Sequence, residues 1–390
     1  MVNSTEPLAT AVLISLPGED ASITSVLGKL LPVRQVEYAA SQGCEKAILL
    51  GRGDISEAIA IRRAAEQAGL KLVEISGPHA LTACVAEDER LLVLQTNLLP
   101  AWDDWARSEA GVGSILLLPA KSGPQAGFER IDLARAWAGA LVIPGRCLSS
   151  LHELPEDAEA APALLRIALQ SRLPELMLDE GLLVDGSWSA ITQGSDLTLI
   201  EDQWLARHVK SSPNASCSEL IAGIILQKFH NVLFTHARIP VALLVLSLIL
   251  AIGGVGASFY RQAAAGFGIL GLAAFLLSLA LVARQLREAP FQHPTHWPKA
   301  QFLLDMAFLA TAFLAIDSSL AAQIFVPFVF LAAFHSAPAK KTWRARLGDR
   351  TLVFALVGIA TMFLAAEGGV MLLAAALLGL NLLSLRGEKG

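Results

Sequence analysis

The chain has 390 residues, room for two domains of ordinary size, with 54% hydrophobic and only 17% charged residues and a mean hydropathy of +0.53. That is too apolar for a chain living wholly in water. The net charge of -5 excludes a basic, nucleic-acid-binding surface. Cys44, Cys84, Cys147 and Cys217 stand far apart without a CxxC pair, so they read as reduced, buried small residues.

From the N-terminus, Met1 to Pro7 is short and polar, and Ala9 to Leu16 lacks the basic flank and cleavage site of a signal peptide, which places the first half on the side of synthesis. Thr10 to Leu16, Lys46 to Gly51, Lys71 to Ile75, Leu91 to Gln95, Ser114 to Leu118 and Ala140 to Ile143 are short runs rich in Val, Ile and Leu between Gly, Pro or Asp, the pattern of buried strands. Helix-length patterns follow at Val33 to Gln42, Ile55 to Ala68, Leu164 to Arg172 and Ser195 to Val209, the last with Ser195 and Asp196 as N-cap residues. Strand and helix in alternation predict a three-layer α/β domain over residues 1–208, its mostly parallel sheet covered on both faces. Residues 209–236 follow as a polar linker and an amphipathic segment, Glu219 to His230, suited to a membrane interface.

Residues 237–390 predict an all-α membrane domain. Arg238 to Gly256, Ala263 to Ala283, Ala300 to Ile316, Leu320 to His335, Thr351 to Ala366 and Gly369 to Leu385 are each near the length that crosses a hydrocarbon core of roughly 30 Å. Arg284, Arg287 and Lys299 fall between spans two and three, and Lys340, Lys341, Arg344, Arg346 and Arg350 between spans four and five. The remaining loops carry Arg261, Asp317 and Glu367, so the positive-inside rule puts both termini and the α/β domain in the cytoplasm, on an inner membrane. Asp305 lies about one turn inside span three, where an ionisable group is costly and is kept for a partner or a cavity. Arg284 or Arg287 is the expected partner, and the three define a candidate lipid-facing or polar pocket. His293 and His296 have ligand spacing, but Pro290, Pro294 and Pro298 interrupt the loop that would align them, so no metal site is assigned.

Residues 9–208 resemble the MobA-type nucleotidyltransferase fold, shared with sugar-1-phosphate and alcohol-phosphate cytidylyltransferases. The resemblance rests on strand Ala11 to Leu16, then Gly28-Lys29-Leu30-Leu31-Pro32-Val33 running into a helix with Arg34, Gln35 and Glu37, on Gly43-Cys44-Glu45-Lys46-Ala47-Ile48, and on the closing Trp188-Ser189-Ala190-Ile191-Thr192 before Ser195-Asp196-Leu197 and Glu201. It implies a GGxGxR loop for nucleotide phosphates and carboxylates for Mg²⁺. The loop position instead reads Pro17-Gly18-Glu19-Asp20-Ala21-Ser22, the strand-end aspartate is Thr96 or Asn97, and the closing aspartate is Ala190, with Asp103 and Asp104 displaced. Lys29, Gly18 and Asn97 remain as the candidate nucleotide contacts.

The membrane half is similar in span number to the CDP-alcohol phosphatidyltransferases found fused to such domains. Their DGxxARx₈GxxxDxxxD motif aligns its "AR" with Ala283 and Arg284, while the other positions fall on Leu279, Ala280, His293, Trp297 and Gln301. The resemblance implies Mg²⁺ with CTP or a CDP-alcohol as cofactors of an active member, membrane lipid as a partner, and a homodimer or an active phosphatidyltransferase as a protein partner. The lost carboxylates favour a silent paralogue serving as subunit or scaffold over two alternatives: an active transferase with relocated residues, and a lipid-handling or transport protein.

Overall fold

A computed structural model describes residues 9–17, 23–51, 54–100, 113–155, 158–192, 197–210, 216–229, 238–288, 297–317, 319–335, 349–364 and 366–386. The chain divides into two units. One is 1–207 with 289–293, and the other is 208–288 with 294–390.

In the first unit the strands are β1 (Ala11–Ser15), β2 (Ser25–Val26), β3 (Lys29–Leu30), β4 (Lys46–Leu50), β5 (Lys71–Ile75), β6 (Arg90–Leu94), β7 (Leu98–Pro100), β8 (Ser114–Pro119), β9 (Arg135–Pro144), β10 (Glu175–Met177) and β11 (Trp188–Ala190). Seven of them form one sheet in the order β10-β8-β9-β6-β1-β4-β5. All its pairings are parallel except the two made by β9, which runs against β6 and β8. Alternation along the strands splits the core: Val12, Ile14, Leu92 and Leu94 face one side, Ala11, Leu13, Leu91 and Val93 the other. Helices α1 (Leu31–Ser41) and α2 (Ile55–Gln67) cover the first side through Val36, Tyr38 and Ile61. The second side is covered by α4 (Ala160–Gln170), which follows the single-turn α3 (Leu81–Cys84), through Leu164 and Ile167. After a second single turn, α5 (Gly181–Val184), the long helix α6 (Leu197–Lys210) closes the unit.

The predicted strands are all present, with shifted ends, and the short β2, β3, β7, β10 and β11 are additions. Ser195 and Asp196 lie outside the described residues. Of the cysteines only Cys44 is fully buried, its thiol pushed up to about 12 by desolvation. Cys84, Cys147 and Cys217 are half-buried, correcting the expectation for them.

The second unit is helical throughout its described length: α7 (Cys217–Lys228), α8 (Ile239–Phe259), α9 (Ala263–Glu288), α10 (Pro298–Ala315), α11 (Leu320–His335), α12 (Arg350–Phe363) and α13 (Ala366–Arg386). Its core stacks Phe308 between Phe330 and Phe354, with ring centroids 4.7 Å apart in both pairs. Among the described residues two helices, Ile239–Phe259 and Ala263–Arg287, are long and apolar enough to cross a membrane, where six spans were expected. Of the others, α10 carries Lys299, Gln301 and Asp305 in its first turns, and α12 ends after 14 residues, where the chain becomes extended at Leu364.

Burial along α8 is inverted relative to a helix of a water-soluble bundle. Along α8 the small residues Ser247, Ala251, Gly254 and Ser258 face inward, while Val241, Val245, Leu246, Ile249, Ile252 and Phe259 are exposed. On α7, Ser218, Ala222 and Leu226 are buried, while Ile221, Ile224 and Lys228 are exposed. Arg261, after α8, meets Asp317, after α10, at 3.1 Å, so these two connections share one end of the bundle.

Candidate functional site

In the first unit the sequence-predicted residues fall around the carboxyl ends of the central strands. Past β1 the chain proceeds to β4 and β5 on one side, and it returns to β6 on the other. This reversal opens the crevice where sheets of this kind hold ligands. Gly18 lies outside the described residues, as do Asp103 and Asp104.

Lys29 begins β3, just past a tight turn in which Leu27 and Gly28 both have positive φ (49° and 71°). A two-residue hairpin turn of this hand needs such angles, and a leucine adopts them only under strain. Here it is held from outside. The Leu27 amide donates to Glu201 of α6 at 2.7 Å, and the buried Arg34 of α1 donates twice to the Val26 carbonyl, at 3.0 and 3.2 Å. The Arg34 guanidinium also lies 4.8 Å from the centre of the Trp204 ring on α6. Glu201→Ala removes a charge-assisted acceptor from a strained turn, so it is expected to cost about 1–3 kcal/mol. Denaturant unfolding and hydrogen exchange at the Leu27 amide read this; unchanged protection there would contradict it.

The Lys29 ammonium donates to Glu37 at 2.5 Å, and Glu37 is only 6% exposed, so the expected phosphate contact is already held by a carboxylate of its own chain. Asn97 sits between β6 and β7, and its carbonyl accepts from Ile191 at 2.9 Å. The pairing of β7 with β11 places Ala190 opposite Leu98, so the two positions that the resemblance gives to metal-binding aspartates are brought together. They carry an amide and a methyl group. A cavity of about 490 Å³ beside them is lined by Gly127, Leu183, Trp188, Ala190, Thr192 and Leu199 among others, with no ionisable side chain. These residues do not fit Mg²⁺, which wants several hard, preferably anionic oxygens.

In the second unit, Asp305 is 5% exposed and is clamped by Arg350, whose Nε and Nη2 donate to its two oxygens at 3.0 and 3.1 Å. This corrects the expected pairing with Arg284 or Arg287. Asp305 is one turn beyond Gln301 on α10, the level at which α12 begins, whereas the Arg284 guanidinium lies 5.0 Å from the centre of the Trp297 ring. Arg350 also sits over Phe334, at 5.4 Å.

Next to the clamp, Asp349 caps α12 by accepting from Thr351 at 3.0 Å, and it accepts from the Ser218 amide and hydroxyl at 2.5 and 2.9 Å. Ser218 continues to Ser278 at 3.1 Å. A cavity of about 200 Å³ is lined by Ser216, Glu219, Ser278, Gln301, Asp349 and Arg350, together with leucines and Ala274. A polar cavity thus lies beside the clamp, built from α7, α9, α10 and α12, but none of Arg284, Arg287 and Asp305, the residues expected to define a pocket, lines it. Asp349, Arg350 and the serines were missed by sequence reasoning. Two cues pointed to them: Ser216-x-x-Glu219 is a capping box, and Asp349 precedes an apolar run as an N-cap.

His293 and His296 lie outside the described residues. Among the described ones no three His, Cys, Asp or Glu side chains come together as a metal site would require. Compared with known proteins, the chain matches no family model and no curated sequence.

Proposed function

We propose that the chain is a membrane-bound, nucleotidyltransferase/phosphatidyltransferase-like protein of polar-lipid headgroup metabolism, acting as a subunit or scaffold and not as a catalyst. One observation carries the reading: the charged groups at both candidate centres are engaged within the chain, Lys29 by Glu37 and Asp305 by Arg350. A transferase needs such charges aimed at the transferring phosphate, where they act on the transition state. The neutral residues Asn97 and Ala190, brought together by β7 and β11, support the same reading.

The membrane setting is supported by the two long apolar helices and by the outward isoleucines, valines and leucines of α8, a surface that hydrocarbon solvates and water does not. In this reading all six predicted spans enter the bilayer, the shorter ones by tilting or local thinning. The α/β unit and both termini face the cytoplasm by the positive-inside rule. The protein partner is an active phosphatidyltransferase or a second copy of this chain.

The test uses the full chain in lipid nanodiscs with CTP or a CDP-alcohol, Mg²⁺ and candidate alcohol phosphates, followed by mass spectrometry. No product is expected; turnover at the rate of an ordinary enzyme would replace the scaffold by a transferase with relocated residues. The cavity beside Asp349 and Ser278 favours that second reading, and Asp349→Asn separates the two, because only an enzyme working there loses turnover.

A further inference from the structure

The charges on the wall of the cavity beside the clamp do not cancel. Arg350 lines it, but its charge is matched by Asp305, to which Nε and Nη2 both donate. Glu219 and Asp349 remain, and among the described residues neither carboxylate forms an ion pair. Asp349 is 4% exposed and accepts three hydrogen bonds, all from neutral donors: the Ser218 amide, the Ser218 hydroxyl and the Thr351 amide. Glu219 uses Oε2 to accept from the Ser216 amide in the capping box of α7, and its Oε1 takes no hydrogen bond from the described residues. Both carboxylates stand at helix N-termini, each worth roughly half a positive charge. About one positive charge in all therefore faces two negative ones, at the edge of an apolar bundle where an unmatched charge is costly.

We infer that this cavity holds the primary ammonium group of a small amino alcohol, free or as the headgroup of a phospholipid; the inference narrows the proposed link to polar-lipid headgroups and rests on that reading. The chemistry selects the class. An ammonium brings one positive charge and three N–H donors, and Glu219 Oε1, Asp349 and the side-chain amide of Gln301, which has no hydrogen bond within the described residues, supply the acceptors. A quaternary ammonium is recognised instead by aromatic faces, and no aromatic residue lines this cavity. A free phosphate meets two carboxylates of its own sign. A divalent metal ion prefers more oxygen ligands, and among the described residues no third acidic, histidine or cysteine side chain joins these two. The cavity measures about 200 Å³, several times the roughly 30 Å³ of one water, and Leu277, Leu281 and Leu304 offer its other wall to a carbon body. Helices α7, α10 and α12 all begin here, while the Arg261–Asp317 pair marks the opposite end of the bundle, so the cavity lies at the level of headgroups. For a lipid, Arg350 Nη1, which Asp305 does not engage, is the donor left for the phosphodiester.

Ligand-observed NMR measures the binding of ethanolamine to the full chain in phosphatidylcholine nanodiscs, with choline, inorganic phosphate and Mg²⁺ as comparison probes. Native mass spectrometry reads which lipid is retained from nanodiscs that mix phosphatidylcholine with phosphatidylethanolamine. Binding of ethanolamine, but not of choline or phosphate, assigns the cavity to a free amine; selective retention of phosphatidylethanolamine without it assigns the same site to the lipid, and both support the inference. Glu219→Gln keeps the cap of α7 and removes the charge, and Gln301→Leu removes an acceptor that bonds to nothing else among the described residues; each is expected to weaken the observed binding about tenfold. Arg261→Ala, at the other end of the bundle, is expected to leave it unchanged. Choline bound as well as ethanolamine, displacement of the amine by Mg²⁺, binding unmoved by both substitutions, or neither amine held would each overturn the inference. The last result without turnover leaves the scaffold reading standing, whereas amine binding accompanied by turnover keeps the inference and removes the scaffold reading.

Discussion

Arg350→Ala is expected to destabilise the helical unit by about 3–5 kcal/mol, because it leaves the Asp305 carboxylate buried without its bidentate counter-charge. The contrast is Arg261→Ala. Arg261 and Asp317 are 82% and 83% exposed at the other end of the bundle, and losing that pair is expected to cost less than about 1 kcal/mol. Both are arginine-to-alanine changes at an ion pair, and burial of the carboxylate is the main difference between them. Arg350 also covers Phe334, which adds a contact that lysine reproduces poorly. Removing both charges with Asp305→Leu and Arg350→Met is expected to restore most of the loss, since two apolar side chains do not leave a bare charge behind. Thermal unfolding in nanodiscs reads all four proteins. Equal shifts for Arg350→Ala and Arg261→Ala would show that the clamp is not buried in the working bundle.

The parts of this fold that were legible are those where one physical signal dominates a window. Runs such as Ala11–Ser15 and Lys46–Leu50 show strand chemistry through Val, Ile and Leu, and β1, β4, β5 and β6 fall where expected. The first half of β9, Arg135 to Gly139, did not show, because Ala and Gly have little β preference. It is held instead by pairing with β8, which no local pattern encodes. Pro162 hid the start of α4, although proline is tolerated in a first helical turn. Hydropathy located the apolar stretches of the second unit but overcounted long helices, since it cannot see the break at Leu364.

The candidate site divides along the same line. Asp305 was legible because a carboxylate inside an apolar run is costly wherever it points. Its partner was not. Arg350 lies 45 residues further along, in a basic stretch whose charge count already had a sufficient explanation in topology. Lys29 was legible as a candidate, but the glutamate that holds it stands eight residues on, and only the turn at Leu27 and Gly28 swings the lysine back onto α1.

Gly266→Leu is expected to cost about 3 kcal/mol or more, the upper end for forcing extra atoms into a filled interior. Gly253→Leu, on the neighbouring helix α8, is expected to be neutral or slightly stabilising through helix propensity. A Cβ added at Gly266 would stand 2.2 Å from Ser258 Oγ and 2.9 Å from the Gly254 carbonyl, so α8 and α9 approach there backbone to backbone. At Gly253 a Cβ meets nothing within 4 Å. Close approach through small residues is how helices associate when hydrocarbon surrounds them, because lipid leaves no hydrophobic gain to be had from larger side chains. The same helix α9 is tight on its other side, where a Cβ on Gly358 would lie 3.1 Å from the Gly268 amide nitrogen. Since α9 is wedged between α8 and α12, displacing it moves Ser278 relative to Asp349 and Arg350. The cavity at the clamp therefore depends on glycines far from it along the helix. Unfolding in nanodiscs measures the stability difference, and cross-linking between cysteines placed at Ser278 and Gln301 reads the displacement. A Gly266→Leu protein as stable as Gly253→Leu would show that the α8–α9 crossing is looser than its backbone contacts require.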